Sequence, residues 1–281
     1  MNLFLLFMPL LFLSNIIPNY SNTKCIDSNP ISSEIFETND WNFIEKLIEG
    51  ADKETLVLFD VDQTLITPND PILKPKWEKY LDQLIGGKKV AVDEHGEKRY
   101  IFREILMKAP HSVINNKSID FIEKKQLKDI PIIAFTAAPG GKIGKVESFI
   151  NWRVDELQKF GFQFGIGNRL SDIGTLKLAK DPNLEFPPIY KSGVLVTSLH
   201  DKGPVLMNFF KEVNWIPKKV IFIDDKMHNL VSVAQSLKGH TNVLGIHYTG
   251  ANDLPCDLNE NIAEQQVSHF LDTGKWVSQS R

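Results

Sequence analysis

The sequence LVLFDVDQT, residues 56–64, decides the fold because an uninterrupted apolar run delivers two carboxylates and a threonine into a turn. Such a run is typical of a strand buried on both faces of a parallel sheet. Because parallel sheets place their sites beyond the carboxyl ends of the strands, we expect Asp60 and Asp62 at that edge. The two carboxylates repel each other, and a bound divalent cation or a proton on one of them would relieve the repulsion. For this stretch alone, an Asp that only caps a turn is the alternative.

The sequence PIIAFTAAPGG, residues 131–141, repeats the pattern of an apolar strand followed by turn-forming residues. Thr136 stands at the end of the strand, where its hydroxyl is placed to donate to a phosphate oxygen. A helix N-cap near Lys142 is an equally good explanation when the stretch is taken alone.

The sequence TSLHDKGP, residues 197–204, precedes an apolar-rich stretch that predicts the start of a helix. Lys202 is electrostatically awkward there, because the amino end of a helix already carries partial positive charge. An anion should offset the positive charge of Lys202. Asp201 is one candidate, and a substrate phosphate together with the acidic cluster is the other.

The sequence KVIFIDDKMHN, residues 219–229, is another buried-strand run, and it ends in two adjacent carboxylates. Adjacent side chains on an extended chain point to opposite sides, so we expect only Asp224 to face a metal directly. Asp225 would hydrogen-bond Lys202, hold a metal-bound water or cap the following helix.

The ordered set of motifs resembles the haloacid dehalogenase (HAD) superfamily, whose members carry Asp-x-Asp-x-Thr, a Thr or Ser, a Lys and a terminal acidic pair. The resemblance spans residues 53–250. The stretches at residues 197–203, 221–225 and 247–250 also look like the bacterial HAD-like family DUF2608. The resemblance implies an α/β fold with a Rossmann-like parallel sheet, helices on both faces and a mostly helical cap insertion.

The resemblance also implies a role for each matching residue. Asp60 matches the nucleophile that takes up the phosphoryl group, and Asp62 matches the general acid/base. Thr136 and Lys202 match the residues that bind the transferring phosphoryl group, and Lys202 also orients the nucleophile. A Mg2+ ion would be held by Asp60, by the backbone carbonyl of Asp62 and by Asp224, with Asp225 and Thr64 in support.

Elementary chemistry agrees with these roles. A carboxylate attacks a phosphate poorly because both are negative, so Mg2+ and Lys202 are needed to offset the repulsion. Asp60 must be ionised and metal-bound, whereas Asp62 must be able to hold a proton, so we expect their environments to push their pKa values apart. One departure from the superfamily pattern is Gln63, where many members have Gly.

Composition fits a phosphoester enzyme better than a nucleic-acid binder. The chain has 281 residues, 42% of them hydrophobic, and a net charge of −3. This length is enough for one α/β domain with an insertion. No basic run interleaved with aromatic residues is present, so we expect no nucleic-acid partner but a small phosphorylated substrate.

The amino terminus predicts a signal peptide over residues 1–22, because residues 3–13 are apolar, uncharged and too short to span a bilayer comfortably. The protein would then be exported, to the periplasm or outside the cell, without a stable membrane span in the mature chain. A retained membrane anchor is the alternative. Cys25 and Cys256 would join the two ends of the domain if they pair, and would otherwise be two unpaired thiols.

The remaining boundaries follow from the motifs. Residues 23–50 form an N-terminal extension, residues 51–67 and 118–253 the core, residues 68–117 the cap insertion, and residues 254–281 a C-terminal segment. In HAD enzymes the cap helps to choose the substrate, and the possible contacts are Trp77, Tyr80, Arg99 and Arg103. Residues 162–196 are loop-rich or hairpin-like.

Three functions compete at this point. The leading one is a Mg2+-dependent phosphohydrolase that acts through an aspartyl-phosphate on a small phosphoester. A catalytically silent HAD-fold binding or secreted interaction protein is the second. A receiver-type signalling domain is the third, but receivers carry the acidic pair before the phospho-acceptor, whereas here the acidic pair comes last.

Overall fold

The computed structural model describes residues 32–87, 91–92 and 98–279. The predicted signal peptide and Cys25 lie outside this part of the chain. Among the described residues no helix is both long and apolar enough to cross a membrane.

The secondary structure alternates between strands and helices along most of the chain. The described strands are β1 Ser33–Thr38, β2 Thr55–Phe59, β3 Ile66–Pro68, β4 Ala91–Val92, β5 Lys98–Arg99, β6 His111–Val113, β7 Ile132–Thr136, β8 Leu176–Lys177, β9 Ile189–Lys191, β10 Val194–Val196, β11 Lys219–Asp224 and β12 Asn242–Tyr248. The described α-helices are α1 Trp41–Ile48, α2 Glu78–Leu84, α3 Ile101–Lys108, α4 Lys117–Gln126, α5 Phe149–Lys159, α6 Lys202–Glu212, α7 Met227–Ser236 and α8 Glu260–Thr273.

The largest sheet of the described residues has the strand order β1-β12-β11-β2-β7-β10-β9-β8. The strands from β1 to β10 in that order pair in parallel. The last two, β9 and β8, are antiparallel to their neighbours. The mostly parallel α/β architecture predicted from the apolar runs is therefore confirmed.

Helices cover the sheet on both faces. Val57 and Phe59 of β2 pack in one apolar cluster with residues of α1, α4 and α5, whereas Leu56 and Leu58 pack in another with residues of α6 and α7. Because successive side chains of a strand point to opposite faces, both sets must be apolar for the strand to be buried. This is the physical reason for the unbroken apolar run that precedes Asp60.

One edge of the sheet comes from the segment assigned to an N-terminal extension. Strand β1 pairs with β12 over residues 33–38, and Trp41 of α1 stacks on Phe59 at 6.0 Å between ring centroids. Residues 33–48 are thus an integral part of the sheet layer. The sequence motifs begin only at β2 and therefore place a boundary at residue 50. Strand β1 precedes that boundary, and its partner in the sheet is β12, near the other end of the chain.

The other edge is a hairpin. Ser192 and Gly193 both have positive φ, of 48° and 76°, which is the two-residue turn that matches the twist of paired strands. The hairpin β9–β10 agrees with the hairpin-like character of residues 162–196. It extends the main sheet through the parallel pairing of β10 with β7.

The insertion after the first motif leaves and rejoins the sheet layer through the antiparallel pair β3–β6. Between these strands lie two short 3-10 helices, Pro71–Leu73 and Pro75–Trp77, then α2, the pair β4–β5 and α3. Its apolar core is shared with α8, because Leu81 and Ile105 pack in one cluster with Phe270. The C-terminal segment is therefore packed against the insertion.

Candidate active site

The four central strands bring the predicted residues to one edge of the sheet. Asp60 follows β2, Thr136 ends β7, Asp224 ends β11, and Lys202 is the first residue of α6 after β10. These strands are neighbours in the order β11-β2-β7-β10, and all run in parallel. Their carboxyl ends therefore converge, although the residues are far apart in sequence.

Lys202 lies beneath this edge, and its side chain is fully buried. Its Nζ donates to Asp60 Oδ1 at 2.6 Å, to Asp224 Oδ2 at 2.6 Å and to the backbone carbonyl of Phe135 at 2.7 Å. An ammonium group has three N–H donors, so all of them are used within the protein. The geometry fits the orienting role that the resemblance implies. A direct bond from Lys202 to a phosphoryl oxygen would require exchange of one of these three.

Aromatic rings and carboxylates together compensate the burial of the Lys202 charge. The Nζ lies 5.2 Å from the centroid of the Phe135 ring and 5.0 Å from that of Phe222. Burial lowers the pKa of Lys202, but Asp224 and Asp60 raise it more, so the pKa rises and the ammonium stays charged.

Asp224 is fixed from several sides. Its Oδ1 accepts from the backbone N–H of Lys226 at 2.8 Å, and Asn229 Nδ2 contacts both carboxylate oxygens at 3.0 and 3.1 Å. Asp225 does not receive the hydrogen bond from Lys202 that was one of its predicted roles, because the three donors of Lys202 point elsewhere. It lines the cavity above the site instead.

Three carboxylates form a compact cluster. Asp60, Asp224 and Asp225 each offer one oxygen, and these oxygens lie within 4.8 Å of one another. Burial raises the pKa of Asp60 well above its usual value, with the neighbouring carboxylates adding to the effect and Lys202 opposing it. Burial and Asp224 raise the pKa of Asp225 to about 7. Burial is the main cause of both shifts, and repulsion among the neighbouring carboxylates adds to them.

Asp62 lies in a different environment. Arg153 Nη2 contacts both of its carboxylate oxygens at 3.0 Å, and Arg103 Nη1 lies 3.6 Å from Oδ2. Burial raises the pKa of Asp62, but Arg153 and Arg103 lower it more, so that it falls below its usual value. The two environments thus push the pKa of Asp60 up and the pKa of Asp62 down.

Arg153 is the site residue that the sequence analysis missed. It belongs to α5, its side chain is 3% exposed, and its Nη1 also donates to Glu156 Oε2 at 2.6 Å. A basic residue on an amphipathic helix normally indicates a solvated face, and nothing in the sequence marks this one as buried. Arg103, which the sequence predicts as a possible cap contact, belongs to α3 of the insertion.

The supporting residues have unequal positions. Thr136 is buried, at 1% exposure, and lines the cavity. Thr64 is equally buried, and its Oγ1 has no hydrogen-bond partner among the described residues. Gln63 has a φ of 68°, in the left-handed region that glycine adopts most easily.

The cavity above these residues has a volume of about 500 Å3. Its floor is formed by Asp60, Asp62, Thr136 and Asp225, and its walls come largely from the insertion. Two further proposed cap contacts, Trp77 and Tyr80, face away toward the C-terminal segment, and the side chain of the fourth, Arg99, is outside the described part of the chain. Trp77 Nε1 donates to the carbonyl of Cys256, and the Tyr80 hydroxyl donates to Glu264.

Fold and site together define a mixed α/β protein whose buried acidic site lies at the carboxyl edge of a mostly parallel sheet. The chain belongs to the family described as "Protein of unknown function (DUF2608)", whose profile matches residues 37–281.

Its relatives include two uncharacterized rickettsial proteins. One, from Rickettsia prowazekii (strain Madrid E), is 24% identical over 243 residues, which cover 83% of this chain and 84% of the relative. The other, from Rickettsia bellii (strain RML369-C), is 22% identical over 233 residues, which cover 79% of this chain and 78% of the relative. No solved structure matches the chain.

Proposed function

We propose that this protein is a Mg2+-dependent phosphohydrolase of the HAD type, with a Rossmann-like core, that acts through an aspartyl-phosphate on a small phosphoester. The observation that carries the proposal is the contact of one buried lysine, Lys202, with Asp60 and Asp224, which come from neighbouring parallel strands. The order of the motifs along the chain supports the same assignment.

The donor set fits a magnesium ion. Asp60, Asp224 and Asp225 offer three carboxylate oxygens in close proximity, against the single positive charge of Lys202. Hard divalent cations prefer such oxygen ligands, and Mg2+ is commonly held by one or two carboxylates, with waters and substrate phosphate completing the shell. Asp60 and Asp224 would hold the ion together with the backbone carbonyl of Asp62, while Asp225 would hold a bound water. The bound ion would supply positive charge that keeps Asp60 ionised and offsets the phosphoryl charge.

The chain's own residues would carry out two displacements. In the first, a carboxylate oxygen of Asp60 attacks phosphorus, and the bond from phosphorus to the leaving-group oxygen breaks. Lys202 holds the attacking carboxylate in position, and Thr136 donates its hydroxyl to a phosphoryl oxygen. In the second, water attacks phosphorus and the bond to Asp60 breaks, which releases inorganic phosphate.

Asp62 would serve as the proton carrier. In its ionised form beside Arg153 it is suited to deprotonate the water of the second displacement. To protonate a leaving group it must first leave Arg153, because that contact favours the ionised carboxylate.

Phosphate release from p-nitrophenyl phosphate, measured with Mg2+ and with EDTA, tests the proposal. We expect Mg2+-dependent release by the wild type and a loss of at least about 10³-fold in Asp60→Asn. The exposed variant Asp272→Asn is the control and should retain activity. Substantial activity in Asp60→Asn would overturn the mechanism. If folded protein binds Mg2+ but releases no phosphate, the alternative of a catalytically silent binding protein is favoured.

We also propose that the protein is exported, on the strength of the apolar stretch at residues 3–13. Amino-terminal sequencing of the protein recovered from its cells tests this point. A mature start between Ser14 and Lys24 supports cleavage. Recovery of the intact chain in the membrane fraction would support the anchor instead.

A further inference from the structure

We propose that the leaving group of the substrate is apolar, so that the protein accepts phosphomonoesters of hydrophobic alcohols or phenols in preference to those of sugars and other polyols. This inference rests on the proposed function, because it concerns the group attached to the phosphoryl oxygen. It is drawn from the cavity above Asp60.

The cavity has an acidic floor, and apolar side chains predominate on its walls. Its volume of about 500 Å3 is within the range of small-molecule sites, and the phosphoryl chemistry occupies the end formed by Asp60 and Thr136. Above that end the walls carry apolar side chains from the insertion and from the loop before α6. These are Ile72, Leu73, Leu81, Phe102, Leu106 and Leu199.

Leu199 lines the wall of the cavity and has an unfavourable backbone conformation. Its φ is 69° and that of Ser198 is 54°, so two consecutive non-glycine residues are left-handed. Ser198 Oγ donates to the carbonyl of Pro187 at 2.5 Å and thereby ties the loop to its neighbour. The Leu199 side chain is nevertheless 51% exposed. Strained backbone that presents an apolar group to a cavity, rather than to the core, is typical of a ligand contact.

Several polar groups on the walls are already paired within the protein, whereas Lys226 and His228 also line the cavity where α7 begins. Lys74 Nζ donates to the carbonyl of Pro255 at 2.6 Å, and the Tyr100 hydroxyl donates to Glu185 at 2.5 Å. Gln63 Oε1 accepts from Thr67. Against the apolar and already paired parts of the wall, a polyol would lose water from its hydroxyl groups without gaining partners, and such a loss is costly. For an apolar group, by contrast, transfer from water into the cavity lowers the free energy.

Binding of alkylphosphonates to the purified protein in the presence of Mg2+, measured by calorimetry, tests the inference without need for turnover. We expect the affinity to rise by about threefold per methylene from methyl- to butyl- to hexylphosphonate. Glyceryl-type phosphonates of equal length should bind at least about tenfold more weakly than their alkyl counterparts. The matching phosphate esters should show the same order in kcat/KM.

Two variants assign the effect to the wall. Leu106→Asn should flatten the dependence on chain length, and Leu199→Ser should do so without touching the buried core. Leu127→Asn, on a leucine that is 80% exposed and away from the cavity, should leave the dependence unchanged. A loss of chain-length dependence in Leu127→Asn equal to that in the wall variants would overturn the assignment.

The remaining outcomes separate the two proposals. Graded alkylphosphonate binding without hydrolysis of any ester would retain the apolar site and reject the phosphohydrolase. A preference for the hydroxylated compounds, or no binding of any alkylphosphonate, would overturn the apolar leaving group whether or not esters are hydrolysed.

Discussion

Gln63 occupies the turn between the two acidic residues and Thr64, with a φ of 68°. Its side-chain oxygen accepts a hydrogen bond from Thr67 Oγ1 at 3.0 Å. A left-handed conformation is unfavourable for any residue with a Cβ, and the hydrogen bond to Thr67 offsets part of that cost. The chain thus reaches, with a glutamine, the backbone geometry that a glycine adopts readily.

The backbone geometry predicts the relative stability of two variants. Gln63→Gly and Gln63→Ala both lose the hydrogen bond to Thr67. The difference between their free energies of unfolding therefore depends only on the backbone conformation of residue 63. We expect Gln63→Gly to be more stable than Gln63→Ala by about 1 kcal/mol in the free energy of unfolding, measured with urea. The reverse order would be inconsistent with a left-handed residue 63.

Glu156 shares Arg153 with Asp62 and is buried. Burial raises its pKa to about 7, with Arg153 opposing and Asp62 adding to the rise. His111 Nδ1 lies 3.7 Å from its other carboxylate oxygen, and burial lowers the pKa of that histidine, which favours its neutral form. Asp62 therefore holds the ion pair, and Glu156 is the carboxyl that gains a proton first.

This arrangement predicts a pH dependence of stability. Between the unfolded pKa near 4.5 and the folded value of about 7, the native state binds more protons at Glu156 than the unfolded state. The contribution of Glu156 to stability therefore falls as pH rises from 5 to 7, on the order of 2 kcal/mol.

The Glu156→Gln variant isolates this contribution, because the other titrating groups remain in both proteins. As pH is lowered from 7 to 5, the free energy of unfolding in urea should increase for the wild type relative to the variant. A gap that stays constant, or that widens toward pH 7, would contradict the raised pKa of Glu156.

At the level of elements, the insertion and the C-terminal helix form one unit. Asp70 is fully buried in it and accepts hydrogen bonds from Gln266, Trp276, Ser278 and the backbone of Gln279. Lys108 of α3 donates to the carbonyl of Gly274 at 2.6 Å. The wall of the cavity is thus supported from behind by the end of the chain.

Removal of the shared acceptor should loosen that support. We expect Asp70→Ala to lower the free energy of unfolding by about 1–3 kcal/mol, because buried donors lose their partner. Limited proteolysis should then cut after α8 faster than in the wild type. The matched control is Asp272→Ala, an exposed acidic residue of α8, which should change stability by less than about 0.5 kcal/mol. Equal behaviour of the two variants would show that Asp70 does not fasten the segment.

At the scale of the whole molecule, the parallel strand order converts distant sequence positions into one site. Lys202 and Asp60 are 142 residues apart in sequence, yet their side chains are in contact. Two buried carboxylates and a partly buried third lie near one buried lysine, and a cation would compensate their excess negative charge. Stability should therefore depend on divalent metal.

Thermal unfolding with increasing Mg2+ measures this dependence. A ligand that binds only the native state stabilises it by about 2.7 kcal/mol at a concentration one hundred times its Kd. We expect the melting temperature to rise with Mg2+ and to rise much less in Asp225→Asn, whose side chain lines the cavity. Asp272→Asn should respond as the wild type does. An equal response in all three proteins would argue against a metal at this cluster.

The sequence by itself determined the mostly parallel α/β architecture and the positions of the motif residues at strand ends. Both depend on local pattern, because an unbroken apolar run specifies a strand covered on both faces, and a polar residue after it must lie at the edge. A shared edge for Asp60, Thr136 and Asp224 follows once such strands run in parallel, whereas the strand order that makes them neighbours does not. The sequence also predicted the hairpin-like character of residues 162–196, before α6.

Only the tertiary structure decided which surface covers each element. The pairing of β1 with β12, the packing of α8 against the insertion and the burial of Arg153 beside Asp62 all join distant parts of the chain. Periodicity shows that a helix has an apolar and a polar face, but it does not show what lies opposite the polar face. The environment of Asp62 depends on that long-range packing, and for this reason the direction of its pKa shift could not be predicted.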